Sequence, residues 1–156
     1  MLEPTTERRS DRNGAAAAEG AKPAKPRLLV IDDDKLHRMI ICRAADKAGY
    51  APAGAATYEE AQKFTQDTAY DCIALDLSLG PHAGVEILHH LRSIGCKAPI
   101  IIISACDSAT SAETMKLARS LNLQVCETIP KPVDLAVLHS WLGRLKAERE
   151  AKFVAA

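Results

Sequence analysis

The sequence predicts an α/β fold in which five strand–helix units build a parallel sheet. Short apolar runs typical of buried strands alternate with longer segments whose apolar residues recur at helical spacing. Turn and capping residues separate these segments, and the pattern occupies about 120 of the 156 residues. Strands that alternate with helices at this spacing require right-handed crossovers, which give a parallel sheet covered by helices on both faces.

Three continuous apolar runs predict the central strands, because a strand that is buried on both faces shows no polar alternation. These runs are residues 28–31, 72–75 and 100–103. Two weaker strands are expected at residues 51–55, where β-branched residues are sparse, and at residues 123–126.

Capping residues predict where the first helices begin and end. Asp34 stands where an N-cap is expected, and Gly49 closes the helix that follows it. Thr57 and Glu60 have the Thr-x-x-Glu spacing of a capping box and open the second helix. The apolar positions of the first helix are Leu36, Met39, Ile40 and Ala44.

Three further helices are predicted from their apolar stripes. The third follows a loop at Gly80–Pro81, and the fourth ends at Asn122 in the left-handed conformation. The inward stripe of the third helix is expected to be Val85, Leu88 and Leu91. The fourth helix contains Met115 and Leu117, and one face of the last is lined by Leu135, Leu138, Leu142 and Leu145.

The ends of the chain differ in composition from its middle. Residues 1–26 lack an apolar period and contain Pro23 and Pro26, so we expect a disordered leader. The domain itself is expected at residues 27–147, with a C-terminal tail at 148–156. No second domain is visible in the sequence.

Charge and hydropathy exclude several classes of function. Twenty basic and twenty acidic residues give no net charge, which argues against binding to nucleic acid or anionic lipid through charge alone. No apolar run reaches the length of a membrane span, and the N-terminus lacks the apolar core of a signal peptide. Five cysteines without a Cys-x-x-Cys pair suggest reduced thiols, so a cytoplasmic location is expected.

Polar residues collect where the predicted strands end. Asp32 and Asp33 follow the first strand, Asp76 the third, Ser104 the fourth and Lys131 the fifth. Ligands of such sheets bind outside the carboxyl ends of the strands. Clustered carboxylates repel one another unless a cation is present, and oxygen ligands suit Mg²⁺. A carboxylate beside that ion could attack a phosphoryl donor while a lysine and a hydroxyl stabilise the transferring group.

Other polar residues are interpreted structurally. Asp34 and Asp107 are expected to be helix caps, and Trp141 is expected to contribute packing. Neighbouring positions on a helix point apart, so His89 and His90 are interpreted as surface residues. No partner is evident in the sequence for His37 or His82.

Four segments together resemble the receiver domains of bacterial two-component systems. They are LLVIDDDKLHR, LDLSLGPHAGVEIL, the run Ser104-Ala105-Cys106-Asp107 and the pair Lys131-Pro132. The resemblance covers about residues 27–146 and implies a flavodoxin-like, doubly wound sheet with strand order 2-1-3-4-5. It further implies a phosphoprotein with Mg²⁺ as cofactor, a histidine kinase or histidine phosphotransfer protein as partner, and no enzymatic activity beyond its own phosphorylation and dephosphorylation.

The resemblance also implies a role for each site residue. Asp76 is implied as phosphoacceptor, Ser104 and Lys131 as catalytic residues that bind the phosphoryl group, and the Lys131–Pro132 peptide bond as cis. The implied metal ligands are Asp32 partly through water, Asp33 and Asp76 directly, and the backbone carbonyl of Ser78. Thr128 departs from the family, because this switch position usually holds Tyr or Phe.

Three functions compete at this point. The first is a stand-alone receiver whose output is protein–protein interaction or onward transfer of phosphate. The second is a receiver-shaped scaffold that binds partners without phosphorylation, which the residue at Thr128 motivates. The third, a phosphohydrolase with an aspartyl nucleophile, is disfavoured because such enzymes need an acid two residues after the nucleophile, where this chain has Ser78.

Overall fold

A computed structural model describes residues 24–78, 83–105 and 108–155. Strands and helices alternate along the described chain, as the sequence predicts. They are β1 (Arg27–Ile31), α1 (Lys35–Lys47), β2 (Ala51–Ala55), α2 (Tyr58–Asp67), β3 (Cys72–Leu75), α3 (Ala83–Ser93), β4 (Ile100–Ser104), α4 (Ser108–Ser120), β5 (Val125–Pro130) and α5 (Leu135–Ala155). The predictions for residues 1–23, for the Gly80–Pro81 loop and for His82 and Asp107 lie outside the described residues.

The strands form one parallel sheet in the order β2-β1-β3-β4-β5, which confirms the predicted fold. β2 is an edge strand that pairs only with β1, so Pro52 can occupy it although proline has no N–H to donate. The chain passes from β1 outward to β2 and then back to β3 on the other side of β1. This reversal opens a crevice at the carboxyl ends of β1 and β3, where ligands of such folds bind.

Two apolar cores lie on opposite faces of the sheet. Successive side chains of a strand point to opposite faces, so the continuous apolar runs of β1, β3 and β4 supply both cores. One core joins alternate strand residues to α2, α3 and α4 through residues such as Ala61, Leu88 and Ala118. The other joins the remaining strand residues to α1 and α5 through Ile41 and Leu142.

Four predicted capping positions are confirmed in the described part of the chain. The Asp34 side chain accepts the His37 N–H at 3.1 Å as the N-cap of α1. Thr57 accepts the Glu60 N–H at 3.1 Å, and the Glu60 carboxylate accepts the preceding Ala56 N–H at 2.7 Å. α1 is followed by Gly49 with φ of 90°, and α4 by Asn122 with φ of 58°. Both residues occupy the left-handed conformation that ends a helix.

The prediction for the last strand is wrong in its position. β5 spans Val125–Pro130 rather than residues 123–126. Leu123 instead follows the end of α4: its N–H bonds back to the Ala118 carbonyl at 2.9 Å, and its side chain enters a core. The strand itself is an edge strand with half-buried polar residues, so it lacks the apolar run that marks the central strands.

The predicted helix faces are partly wrong. Each helix does bury one stripe, but the stripe is rotated or shortened relative to the prediction. Four residues that the sequence predicts on the apolar stripes are exposed instead: Leu36, Met39, Val85 and Leu135. The residues that face the sheet instead are Ile41 and Ala45 in α1, Gly84 and Ile87 beside Leu88 and Leu91 in α3, and Leu138, Leu142 and Leu145 in α5.

α5 is longer than the predicted domain boundary implies. It continues to Ala155, through most of the segment that the sequence assigns to a C-terminal tail at 148–156. The extension follows from composition, because residues 144–155 contain neither Gly nor Pro and are rich in strong helix formers. No helix in the described part of the chain has both the length and the apolar character needed to span a membrane.

Candidate metal and phosphoryl site

The carboxyl edge of the sheet brings the predicted site residues together. Asp32 follows β1, Asp76 follows β3, Ser104 ends β4 and Lys131 follows β5. Backbone hydrogen bonds extend the ladder to these positions: the Asp76 N–H donates to the Ile31 carbonyl at 2.9 Å, and the Lys131 N–H to the Ser104 carbonyl at 3.1 Å. The sheet therefore fixes the backbone from which each of these predicted site residues projects.

Three carboxylates meet in the crevice. One carboxylate oxygen from each of Asp32, Asp33 and Asp76 lies within 4.8 Å of the others. Asp32 and Asp76 are 1% and 2% exposed, whereas Asp33 is exposed. Ionised groups packed this closely in a buried site destabilise one another unless cations offset their charge.

Lys131 supplies one such cation. Its Nζ lies 2.8 Å from Asp76 Oδ2 and 3.2 Å from Asp32 Oδ2, so one ammonium group bridges the two buried carboxylates. The Lys131–Pro132 peptide bond is cis, which confirms the implied isomer. Three carboxylates and one ammonium leave a net charge of −2 in the cluster.

The three charged groups respond differently to burial. Burial, together with the charge of Asp32, raises the pKa of Asp76 despite hydrogen bonds from Lys131 and the Ser78 N–H. Burial also acts to raise the pKa of Asp32, but hydrogen bonds from His37, the Asp34 N–H and Lys131 outweigh it, so this pKa is lowered. Burial acts to lower the pKa of Lys131, yet its two carboxylate partners outweigh burial and raise it. Asp76 is thus the less well stabilised of the two buried anions.

The residues present fit a magnesium ion. The donors are oxygen atoms on three converging carboxylates, and their uncompensated charge of −2 matches a divalent cation. Ser78 lies beside them, with its N–H donating to Asp76 Oδ1 at 2.9 Å. Coordination through the Ser78 carbonyl and the phosphoryl-binding role of Ser104, which is 2% exposed, stay predictions.

Two further residues hold Asp32, and the sequence interpretation missed both. His37 Nδ1 lies 2.6 Å from Asp32 Oδ2, and Arg38 Nη1 donates to the Asp32 carbonyl oxygen at 2.7 Å. The stem of Arg38 lies over Gly54, where an added Cβ would be 3.1 Å from Arg38 Cδ. The sequence does contain a signal for both contacts. Helical side chains lean toward the N-terminus of their helix, and the N-terminus of α1 lies next to Asp32, so side chains in the first turn of α1 point toward that residue.

The structural interpretations of other residues have mixed outcomes. Asp34 is a helix cap, and Trp141 packs against the core between α5 and the sheet, with Arg144 Cζ 4.5 Å from its ring centroid. The surface assignment is wrong for His90, which is only 8% exposed and lies 2.8 Å from the Thr65 hydroxyl. Its neighbour His89 is exposed.

The switch position lies beneath α4. Thr128 is half-buried on β5, three residues before Lys131, and its hydroxyl donates to the Met115 sulfur at 3.3 Å. The strand and the helix are therefore linked here by a short polar contact rather than by an aromatic ring.

A cavity of about 850 Å³ lies at the opposite edge of the sheet. Residues just before β3, β4 and β5 line it, including Asp71, Pro99 and Gln124, together with Arg149 of α5. None of its lining residues belongs to the acidic cluster, so the charged crevice and this cavity are separate features.

Comparisons with known proteins agree with this geometry. The family model described as "Response regulator receiver domain" matches residues 28–142. A curated relative, "Response regulator MprA" of Mycobacterium avium (strain 104), is 30% identical over 133 residues, which cover 83% of this chain and 56% of the relative. The chain therefore spans about half the length of the curated relatives it matches.

Solved structures show the same fold. A response regulator from Colwellia psychrerythraea is 25% identical, with a TM-score of 0.70 over 79% of this chain and 98% of its own. The receiver domain of the Francisella response regulator 1452 is also 25% identical, with a TM-score of 0.69 over 80% of this chain and 99% of its own.

Proposed function

The chain belongs to the response regulator receiver domain family, and from this membership we propose that Asp76 accepts a phosphoryl group in two-component signalling. The donor is a phosphohistidine of a histidine kinase or of a histidine phosphotransfer protein. The observation that carries the proposal is the bridging position of Lys131 Nζ, 2.8 Å from Asp76 and 3.2 Å from Asp32, beside a third carboxylate.

The proposed reaction is a single displacement at phosphorus. A carboxylate oxygen of Asp76 forms a new bond to phosphorus while the bond from phosphorus to the donor imidazole nitrogen breaks. The imidazole leaves with the electron pair of that bond, and the product on Asp76 is an acyl phosphate.

Each neighbour has a distinct proposed role. Asp32, Asp33, Asp76 and the Ser78 carbonyl hold Mg²⁺, which when bound supplies positive charge opposite the phosphoryl oxygens. The Lys131 ammonium offers a second positive charge from its position against Asp76. The Ser104 hydroxyl, buried at the end of β4, donates to one phosphoryl oxygen.

The proposed output is contact with a protein target, or onward transfer of the phosphoryl group. Phosphorylation stabilises one conformation of the surface near α4 and β5, which a partner then recognises. Thr128 and Met115 connect that strand to that helix through the 3.3 Å hydroxyl–sulfur contact. We also propose a cytoplasmic location, which the free thiols among the described cysteines support.

Acetyl phosphate tests the proposal without knowledge of the kinase. The full chain is incubated with acetyl phosphate and Mg²⁺ and resolved on a phosphate-retarding gel. A shifted band is expected for the wild type and for Asp46→Asn, a control at an exposed acid of α1, but not for Asp76→Asn. Chelation of Mg²⁺ is expected to abolish the shift.

The same assay distinguishes the competing functions. No shift of the folded wild type at any donor concentration would overturn the proposal and favour a scaffold that binds partners without phosphorylation. Rapid turnover of a general phosphomonoester would instead identify a phosphohydrolase.

A further inference from the structure

The imidazole of His37 is in direct contact with the acidic cluster. Its Nδ1 lies 2.6 Å from Asp32 Oδ2, and its side chain is 13% exposed. An ionised carboxylate can only accept hydrogen bonds, so Nδ1 carries the ring hydrogen and donates a hydrogen bond to Asp32. In the neutral ring the other nitrogen, Nε2, is then an acceptor.

Within the described parts of the chain, the contact with Asp32 is the one polar contact that the His37 ring makes. Its Nε2 is buried and has no hydrogen-bond partner among the residues that the structure describes. If the polar atoms of the ring are removed, the main interaction lost is therefore the hydrogen bond from Nδ1 to Asp32. A substitution that keeps a donor at the Nδ1 position is expected to keep the function of the ring.

The hydrogen bond from His37 completes the support of the Asp32 carboxylate. Asp32 Oδ1 accepts the Asp34 N–H at 2.9 Å, and Oδ2 lies 2.6 Å from His37 Nδ1. The Lys131 ammonium lies near both oxygen atoms, 3.4 Å from Oδ1 and 3.2 Å from Oδ2. Both oxygen atoms are thereby fixed while one of them stays within 4.8 Å of ligand atoms from Asp33 and Asp76. Partners that hold a ligating carboxylate orient it for the metal.

We propose that His37 is a positioning residue for divalent-cation binding, which acts by holding the Asp32 carboxylate through the 2.6 Å contact of Nδ1 with Oδ2. This inference rests on the proposed function, because it requires that the three carboxylates hold Mg²⁺. It assigns a role to a side chain that the sequence pattern leaves without a partner.

Calorimetric titration with MgCl₂ alone, without a phosphodonor, tests the inference on the full chain. His37→Leu is expected to weaken Mg²⁺ binding by about 10- to 100-fold, as is typical when a supporting partner of a ligand is lost. His37→Asn places an amide N–H close to the position of Nδ1. Its affinity for Mg²⁺ is expected to stay within about threefold of the wild-type affinity, a smaller loss than the one expected for His37→Leu. His37→Gln reaches toward the position of Nε2 instead, so it is expected to resemble His37→Leu.

Controls separate this inference from folding and from the proposed function. Emission from Trp141, the only tryptophan, reports in urea that each variant is folded, and His139→Gln on the exposed face of α5 serves as a neutral histidine control. If His37→Leu and His37→Gln bind Mg²⁺ as tightly as the wild type, and the wild type is phosphorylated on Asp76, the inference alone fails. If the wild type takes up no Mg²⁺, the inference and the proposed function fail together.

Discussion

Lys131 Nζ lies 2.8 Å from Asp76 Oδ2, across a separation of 55 residues along the chain. The two residues follow β5 and β3, which are not neighbours, because β4 lies between them in the sheet. The lysine side chain therefore reaches past the end of β4 to a buried anion. A cation held in this way offsets part of the charge of the acidic cluster.

Replacement of Lys131 by Met is expected to affect both stability and phosphorylation. Removing one partner from a buried ion pair costs about 3 kcal/mol, so the free energy of unfolding should fall by up to that amount in metal-free buffer. Loss of a preorganised charge should slow phosphorylation by about 10²- to 10³-fold. Urea unfolding and the rate of modification by acetyl phosphate measure the two effects.

A matched control for this change is Lys97→Met at an exposed lysine before β4, which should leave both quantities near the wild-type values. An unchanged phosphorylation rate in folded Lys131→Met would contradict the role assigned to the ammonium group.

Asp76→Asn is expected to stabilise the protein in the absence of metal. The pKa of Asp76 is raised by burial and by the charge of Asp32, which means that its ionised form is disfavoured in the folded state. The amide removes that charge, so the free energy of unfolding near pH 7 should rise by about 1 kcal/mol, as is common when a functional site is relaxed. Mg²⁺ should narrow the difference in the free energy of unfolding between variant and wild type, because it stabilises the wild type more than the variant. A lower urea midpoint for Asp76→Asn without metal would contradict this account.

The sequence predicts the first four strands of the sheet better than the edge strand β5. β1, β3 and β4 are buried on both faces, so their continuous apolar runs mark them directly. β5 is only half-buried and contains Glu127 and Thr128, and its pairing with β4 is interrupted by a bulge after Ile100. Leu123, which the prediction assigned to this strand, instead follows the end of α4 and bonds back to Ala118.

The site residues were predictable because topology alone brings strand ends together. Asp32, Asp76 and Lys131 follow strands whose carboxyl ends lie at one edge of the sheet, which brings the three residues close together. His37 could not be found in that way, because its contact depends on the direction in which a helical side chain leans. His90 was misassigned because the spacing of His89 and His90 does not indicate which of the two faces the protein interior.

Two helical glycines are expected to respond in opposite ways to substitution by alanine. A Cβ on Gly84 would lie 3.0 Å from the Leu77 carbonyl oxygen and 3.2 Å from its Cα, and backbone atoms cannot move aside cheaply. Gly84→Ala should lower the free energy of unfolding by about 1–3 kcal/mol. Because Leu77 lies between Asp76 and Ser78, this change should also weaken Mg²⁺ binding.

Gly143→Ala is the matched control in the interior of α5. Nothing lies within 4 Å of its added Cβ, so the better helix propensity of alanine should raise the free energy of unfolding by about 0.5–1 kcal/mol. Urea unfolding and magnesium titration of both variants check the pair. Equal stabilisation by both substitutions would show that α3 does not approach Leu77 as closely as described.

His90 is expected to make stability depend on pH. The Thr65 hydroxyl donates its proton to the Ala61 carbonyl at 2.8 Å, so His90 Nε2 carries a hydrogen atom and donates to the hydroxyl oxygen. Burial lowers the pKa of His90 in the folded protein, so the unfolded chain takes up a proton at a higher pH than the folded one. The contribution of His90 is therefore fully present above the unfolded pKa of about 6.5. It falls as the pH drops below that value, with a slope of at most about 1.4 kcal/mol per pH unit, and levels off below the folded pKa.

The comparison of His90→Gln with the wild type isolates this contribution from other acidic groups. Glutamine can still donate to Thr65 but does not titrate, so the difference in the free energy of unfolding between wild type and variant should change between pH 7.5 and pH 5. The same difference for His89→Gln, at the exposed neighbouring position, should stay constant. A constant difference for His90→Gln would mean that the ring is protonated equally in both states, which is incompatible with a buried neutral imidazole at this position.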